Sequence, residues 1–254
     1  MTLSVVLITH NEEANLPRTL DSVMPLVRDG QGEIVVVDSG STDGTLEIAR
    51  ARGAKVFSES WKGFAAQKNS AMDKASGDWV LQLDADEALE PELTEEMAAT
   101  VRAQPSVNGY WIPRKNYFLG RWIKHGGFYP DPKLRLVRRG AGRFAEYGAH
   151  PTMKVDGSTA QLSHALLHHA YPTLRGYIDH MNSYSSMGAE IAGERAQGSF
   201  SILNIVARPF LTFIYNYFFR LGFLDGVEGL LLHLYHSAYV SWKYAKAWEL
   251  GRKK

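Results

Sequence analysis

The chain has 254 residues, 45% of them hydrophobic, with a formal net charge of +1. That length suffices for one substantial α/β domain with a smaller appendage, or for a single large domain, and two large independent domains are not expected. Near-neutral charge gives no global electrostatic case for nucleic-acid binding, and the lack of cysteine excludes disulfides, thiolate metal sites and cysteine nucleophiles.

In chain order, Leu3-Ser-Val-Val-Leu-Ile8 and Glu33-Ile-Val-Val-Val-Asp38 are short β-branched apolar runs, as expected of strands buried on both faces. Met1 leads directly into the first, without basic n-region, long apolar core or cleavage site. No secretory signal is therefore expected, and the catalytic part is expected in the cytoplasm. Between the two strands, Leu16, Leu20, Val23 and Met24 recur at helical spacing, with Asn15 as a candidate cap and Pro17 in the first turn. A helix near Thr45–Arg52, a strand near Lys55–Phe57, a helix near Phe64–Lys74 and the strand Trp79–Asp84 continue a βαβ series. Such a series predicts a mostly parallel, Rossmann-like sheet with flanking helices, and ligands beyond the carboxyl ends of its strands. Polar clusters follow three strands: Thr9-His-Asn-Glu12, Asp38-Ser-Gly-Ser-Thr-Asp43 and Asp84-Ala-Asp86.

After a helix to Arg102 the pattern loosens into a Gly- and aromatic-rich stretch through His150, suited to acceptor loops. From Arg114 to Arg143 nine basic residues stand against the single acid Asp131, so an anionic partner is expected there. From Phe200 onward, Phe210–Phe219 and Leu230–Tyr235 are apolar-aromatic and read as short amphipathic helices. Neither reaches the roughly 18 uninterrupted apolar residues of a spanning helix, although Gly229–Trp242 lacks formal charges and comes near that limit. From Ser199 to Lys254 seven basic residues face three acids, which favours an interfacial place on the inner face of the cytoplasmic membrane. The alternative is an ordinary core, or contact with a second copy in a homo-oligomer. The expected division is 1–198 (donor half 1–100, acceptor half 101–198) followed by a helical segment, 199–254.

Two carboxylates one residue apart, just past a buried strand, can hold a divalent cation against a diphosphate, so Asp84 and Asp86 are the candidate metal ligands. The bland reading is a solvated acidic turn, since Glu87 and Glu90 follow. Asp38, also at a strand end, is placed to address a nucleoside. The first loop, Thr9-His-Asn-Glu-Glu-Ala-Asn15, lacks the G-x-G-x-x-G that would cradle a pyrophosphate. Phosphates would then fall to a metal at Asp86 with Lys68 or a later basic residue.

The ordered set Val5-Val-Leu-Ile-Thr-His-Asn-Glu12, Val37-Asp-Ser-Gly-Ser-Thr-Asp-Gly-Thr45, Gln67-Lys-Asn69, Gly77-Asp-Trp79 and Leu83-Asp-Ala-Asp-Glu87 resembles glycosyltransferase family 2 over about the first ninety residues. Gly126-Gly-Phe-Tyr-Pro-Asp131, Lys133-Leu-Arg-Leu136, Gly222-Phe-Leu-Asp-Gly226 and Lys243-Tyr-Ala-Lys246 extend the similarity, nearly full length, to its lipopolysaccharide core β-1,4-glucosyltransferase subgroup. The resemblance implies a GT-A fold and an inverting transfer of a hexose, with UDP-glucose as donor and a hydroxyl of an anionic glycan or glycolipid as acceptor. It also implies Mg²⁺ or Mn²⁺ at Asp86, assisted by Asp84. Thr9, Asn11, Glu12, Asp38, Ser41, Lys68, Asp84 and Arg135 would be the donor-binding set.

One departure bears on the mechanism. The subgroup carries a His-Glu pair whose Glu is the expected base; here the pair is His150-Pro151, and proline takes no proton. Glu146, His150 and Asp131 are the remaining candidates. A polyprenyl-phosphate sugar transferase, whose ionised acceptor needs no strong base, and a non-catalytic nucleotide-sugar-binding protein are the alternatives. Asn69 is expected to stabilise its own helix, and His164, His168 and His169 to be ordinary buried or interface histidines rather than a zinc site.

Overall fold

The computed structural model describes residues 2–145, 151–196 and 201–252. The chain forms β1 (Leu3–Thr9), α1 (Leu16–Val27), β2 (Gly32–Asp38), α2 (Thr45–Ala51), β3 (Lys55–Ser58), α3 (Phe64–Asp73), β4 (Trp79–Asp84), β5 (Glu87–Leu89) and α4 (Pro91–Arg102). There follow β6 (Gly109–Ile112), β7 (Arg114–Phe118), β8 (Arg121–Trp122), β9 (Lys133–Arg138), β10 (Gly142–Ala145), β11 (Thr152–Val155), β12 (Thr159–Gln161) and β13 (Leu166–Tyr171). The helices α5 (Leu174–Ala196), α6 (Arg208–Ile214) and α7 (Gly226–Arg252) come last. Two compact units result: Met1–Arg114 with Pro132–His168, and Lys115–Asp131 with His169–Lys254. The boundary expected at 198/199 thus falls inside the second unit.

The first unit is built on a seven-stranded sheet of order β12-β6-β9-β4-β1-β2-β3. Strands β1 to β4 pair in parallel, and β9 runs antiparallel to both of its neighbours. Alternate side chains of β1 serve opposite layers. Val5 and Leu7 pack with Leu16, Leu20 and Val23 of α1 and Leu93 and Met97 of α4, while Val6 packs with Ala65, Ala71 and Met72 of α3. All three β1 residues are fully buried, which explains the uninterrupted apolar run. After β3 the chain returns to the other side of β1 to lay down β4, and this reversal sets the crevice. Register aligns Thr9 with Asp38 and Ile8 with Asp84, so the polar clusters end at one sheet edge. Gly77 meets a different need, since a Cβ there would lie 2.8 Å from the Ser4 nitrogen.

Two local expectations are corrected. Asn15 makes no side-chain cap; its amide instead donates to Glu12 at 3.0 Å. The run Leu230–Tyr235 is not a short helix but part of the 27-residue α7. No helix among the described residues is long and apolar enough to cross a membrane.

In the second unit Phe118, Ile123, Tyr177 and Leu232 form a core. Asp225, 2% exposed, accepts the backbone N–H groups of Lys124 (3.2 Å) and His125 (2.8 Å) and lies 3.0 Å from His125 Nδ1. This clasp joins the two glycine-bearing motifs around His233. A Cβ on Gly126, whose φ is +66°, or on Gly222 would overlap the His233 ring. That imidazole is 1% exposed, and neither ring nitrogen has a hydrogen-bond partner. Burial first, then His236, push its pKa down to about 4 against the opposing charge of Asp225, with a further lowering from Arg220.

Since His233 titrates near 6.5 when unfolded, the unfolded chain binds a proton that the folded chain refuses between about pH 6.5 and 4, and stability falls as pH falls through that window. Urea unfolding of wild type and His233→Gln at about pH 7.5 and about pH 4.5 should show wild type losing on the order of 2–3 kcal/mol more than the variant. Equal losses would remove His233 from the acid response.

Candidate active site

The loops after β1 and β2 are laced together by short polar side chains. Asn11 N donates to Ser41 Oγ (2.8 Å) and Thr42 N to Asn11 Oδ1 (2.8 Å). Glu12 N donates to Thr45 Oγ1 (2.8 Å) and Gly44 N to Glu13 Oε2 (2.8 Å). Asp38 is fully buried beneath them and accepts Thr9 Oγ1, Ser41 Oγ and the Gly40 and Ser41 amides at 2.5–2.9 Å. Burial alone would raise its pKa; the bonds from Ser41, Thr9 and Gly40 hold it below the usual range. Asp38 and Thr9 therefore build the loop, and Asn11 and Ser41 lie at its surface.

At the end of β4 lies a network of charges. Asp84 accepts Lys68 Nζ (2.6 Å) and Gln82 Nε2 (3.2 Å) on one oxygen and Arg135 Nη2 (2.7 Å) on the other. Antiparallel pairing of β9 with β4 brings Arg135 to this end of the sheet, and α3 supplies Lys68. Arg135 also donates to Glu87 (2.7 Å) and makes a short bond to Gln82 Oε1. Glu87, fully buried, accepts Arg114 (3.2 Å) and the Asp84 amide (3.0 Å), which fixes the turn. Burial opposes ionisation of Asp84, but Arg135 and Lys68 overcome it and hold the carboxyl well below the ordinary range. Desolvation lowers the Lys68 pKa despite Asp84.

Asp86 is turned away from these cations and faces His168 Nε2 at 3.4 Å. Burial raises its pKa, and His168 more than compensates. Glu12 lies close enough to feel this group: burial first, then the charges of Asp86, Asp43 and Asp84, raise its pKa despite Asn15. A divalent cation would relieve that repulsion. Among the described residues no three His, Asp or Glu side chains converge as a self-sufficient metal site. Asp86 and His168 suit a metal that takes its other ligands from water and phosphate oxygens, as Mg²⁺ does with one or two carboxylates. His168 went unrecognised in the sequence because only the pairing of β13 with β5, which sets it opposite Glu87, brings it here.

Asn69 does not serve its own helix. Its amide donates to Phe144 O and accepts Phe144 N, both at 2.9 Å, and so holds β10. Glu146 and His150 follow that strand and lie outside the described residues. Asp131 belongs to the second unit, where it accepts Asn116 Nδ2 at 3.0 Å.

The basic run is divided between the two units, and most of its arginines have partners within their own unit. Arg114 and Arg135 meet Glu87, Arg143 meets Asp73, Arg121 lies 3.6 Å from Glu228, and Arg138 and Arg139 donate to the carbonyls of Pro105 and Gly77. In the second unit Lys115 and Lys124 lie over the Trp122 ring at 4.9 and 4.5 Å. His164 is likewise accounted for, 2.9 Å from Glu96, and His169 stacks on Tyr117.

The sequence pattern described as glycosyl transferase family 2 matches residues 4–159. The lipopolysaccharide core biosynthesis glycosyltransferase LpsC of Rhizobium meliloti is 30% identical across 89% of this chain and 82% of its own. An uncharacterized glycosyltransferase of Rickettsia typhi is 29% identical across 99% and 88%. Among solved structures, the mannosyltransferase PcManGT of Pyrobaculum calidifontis, in complex with GDP-Man and Mn²⁺, superposes with a TM-score of 0.57 at 19% identity over 96% of this chain and 86% of that one. At that identity the likeness concerns the fold, which is the expected GT-A arrangement with helices added at the C-terminal end. The chain therefore belongs to glycosyl transferase family 2 and is a glycosyltransferase.

Proposed function

We propose that the protein transfers a hexose, with UDP-glucose as the favoured donor, to a hydroxyl of an anionic cell-envelope glycan such as a lipopolysaccharide core, with inversion at the anomeric carbon. The observation that carries this reading is Asp86 facing His168 at the carboxyl end of β4, beside the Lys68–Asp84–Arg135 network. The relationship to LpsC supports the choice of acceptor. Asp86 and His168 would hold Mg²⁺ or Mn²⁺, which when bound neutralises the departing diphosphate. Asp84, occupied by two cations, orients Lys68 and Arg135 at the phosphates rather than serving as a principal ligand. Asn11, Ser41 and Glu12 line the nucleotide, on a loop that Thr9 and Asp38 keep rigid. Lys115 and Lys124 are the cations we assign to an anionic acceptor.

The acceptor hydroxyl must lose a proton as it attacks the face opposite the leaving group. Glu146, His150 and Asp131 remain the candidates. Pro151 in place of a carboxylate favours one competing reading, a polyprenyl phosphate acceptor, which arrives already ionised.

Nucleoside diphosphate release from a panel of sugar nucleotides, with Mg²⁺ or Mn²⁺ and delipidated core acceptor, tests the reading. Asp86→Ala should lower kcat about 10²–10³-fold. His168→Ala should raise the metal concentration for half-maximal rate about 10–100-fold. Undiminished turnover by Asp86→Ala would remove the metal assignment. Of Glu146→Gln, His150→Ala and Asp131→Asn, one should lose roughly 10²–10⁴-fold in kcat with the donor KM unchanged. If none does, and polyprenyl phosphate is glycosylated while core acceptor is not, the sugar-hydroxyl acceptor is wrong. Asn69→Ala should lower kcat about tenfold or more while donor Kd stays constant, because it loosens the strand entering residues 146–150 and not the donor contacts. An equal loss in donor affinity would place Asn69 in the donor pocket instead.

A further inference from the structure

Apolar surface in the second unit is concentrated in one segment. Leu203 is 69% exposed, Phe210 64%, Leu211 62% and Phe219 76%, and Val206 and Phe218 are exposed beside them. Single exposed apolar residues are ordinary, whereas a contiguous run of this kind marks a contact surface. Leu203, Val206 and Phe210 recur at helical spacing, and Leu211, Tyr215 and Phe218 repeat it. The stretch that came nearest to spanning length in the sequence, Gly229–Trp242, behaves differently. It lies in α7 with Leu232, His233 and Ser237 buried, and Leu232 belongs to the core of the unit. Helix α7 thus packs one side into the unit while Val227 (68%), Leu230 (39%) and Leu234 (50%) stay exposed near its start, and most of the exposed apolar side chains precede it.

Charge selects the partner. From Ser201 to Leu224 the only charged residues are Arg208 and Arg220. The Arg208 guanidinium bonds the Tyr244 hydroxyl and lies 5.1 Å from that ring, and Arg220 lies 5.8 Å from the Tyr215 ring. Long cations leaning on aromatic rings beside apolar side chains suit the boundary between headgroups and acyl chains. A two-fold contact between copies would oppose this acid-free face to itself and supply no counter-charge. Anionic headgroups supply it.

We propose that the 202–224 surface docks the protein on an anionic phospholipid bilayer, with Leu203, Phe210, Leu211 and Phe219 entering the acyl boundary while Arg208 and Arg220 meet headgroup phosphates. The segment lies in the interface and does not cross it. This inference is independent of the donor, metal and acceptor assigned above.

The full chain should sediment with vesicles of equal parts phosphatidylglycerol and phosphatidylethanolamine, bind phosphatidylcholine vesicles at least about tenfold more weakly, and lose affinity as salt rises. The triple variant Phe210→Ser, Leu211→Ser, Phe219→Ser should bind the anionic vesicles at least about tenfold more weakly. Metal-dependent UDP binding by the same variant should be unchanged, which separates failure of this inference from failure of the catalytic one. Hydrogen exchange on the wild type gives a readout that needs no variant: vesicles should protect residues 202–224 more than 229–250. Three results would each overturn the proposal: wild type left in the supernatant with anionic vesicles, protection confined to 229–250, or a dimer in solution that the triple substitution dissolves.

Discussion

Arg135 between Asp84 and Glu87 is the interaction on which the rest of the first unit depends. Its guanidinium is 6% exposed and bonds both carboxylates at 2.7 Å. Lys68, 7% exposed, bonds the other oxygen of Asp84 at 2.6 Å. Charges at such depth cost several kcal/mol each to desolvate, and removal of one partner from a buried pair commonly costs about 3–5 kcal/mol. The four charges at its centre come from different places in the chain: Lys68 from α3, Asp84 from β4, Glu87 from β5 and Arg135 from β9. None can shift alone without stranding a charge. The network need not add net stability to specify one arrangement of four elements around one turn.

That arrangement divides the labour within Asp84-Ala-Asp86. Asp84 is saturated by cations, and Glu87 holds its amide from below. The Ala85 carbonyl accepts Thr19 of α1 at 2.6 Å, which anchors the turn from the other side. Asp86 is the carboxylate that faces a histidine, with His168 Nε2 3.4 Å away. Asp86 in the turn after β4 and His168 on β13 stand together beside Asp84, and it is this pair that we propose to hold a metal against a diphosphate. Such a site would need no glycine-rich loop, and none follows β1.

How much of this was legible in the sequence depended on distance along the chain. Leu3–Ile8 and Trp79–Asp84 announced strands because residues buried on both faces leave no polar alternation. The clusters at Thr9, Asp38 and Asp84 were placed correctly because parallel strands in this order end at one edge. Contacts set by tertiary pairing were invisible. His168 reaches Asp86 across more than eighty positions only through the register of β13 with β5. Asn69 was assigned to its own helix because nothing local shows that Phe144 lies opposite. Within the basic run, counting cations could not show that Arg114, Arg135 and Arg143 are each answered by a carboxylate from another element, whereas Lys115 and Lys124 stay with the proposed anionic acceptor. Asn15 was misread because its amide found the Glu12 carboxylate, a local competitor to the backbone cap.

The second unit gives a physical reason for the glycine motifs that the donor chemistry leaves unused. Gly126 and Gly222 are separated by almost a hundred residues, yet both make room for the ring of His233, and Asp225 closes the same joint on Lys124 and His125. The segment Lys115–Asp131 is therefore part of the fold of the C-terminal helices rather than of the sheet. Lys115 and Lys124, which we propose for an anionic acceptor, share a compact unit with the exposed apolar surface that we propose for lipid. An acceptor that is itself an amphiphile presents both chemistries at once, an anionic glycan joined to acyl chains. The buried Asp225 ties the segment that carries Lys124 to the turn that ends the apolar run, so in our proposal a single unit meets both parts of such an acceptor.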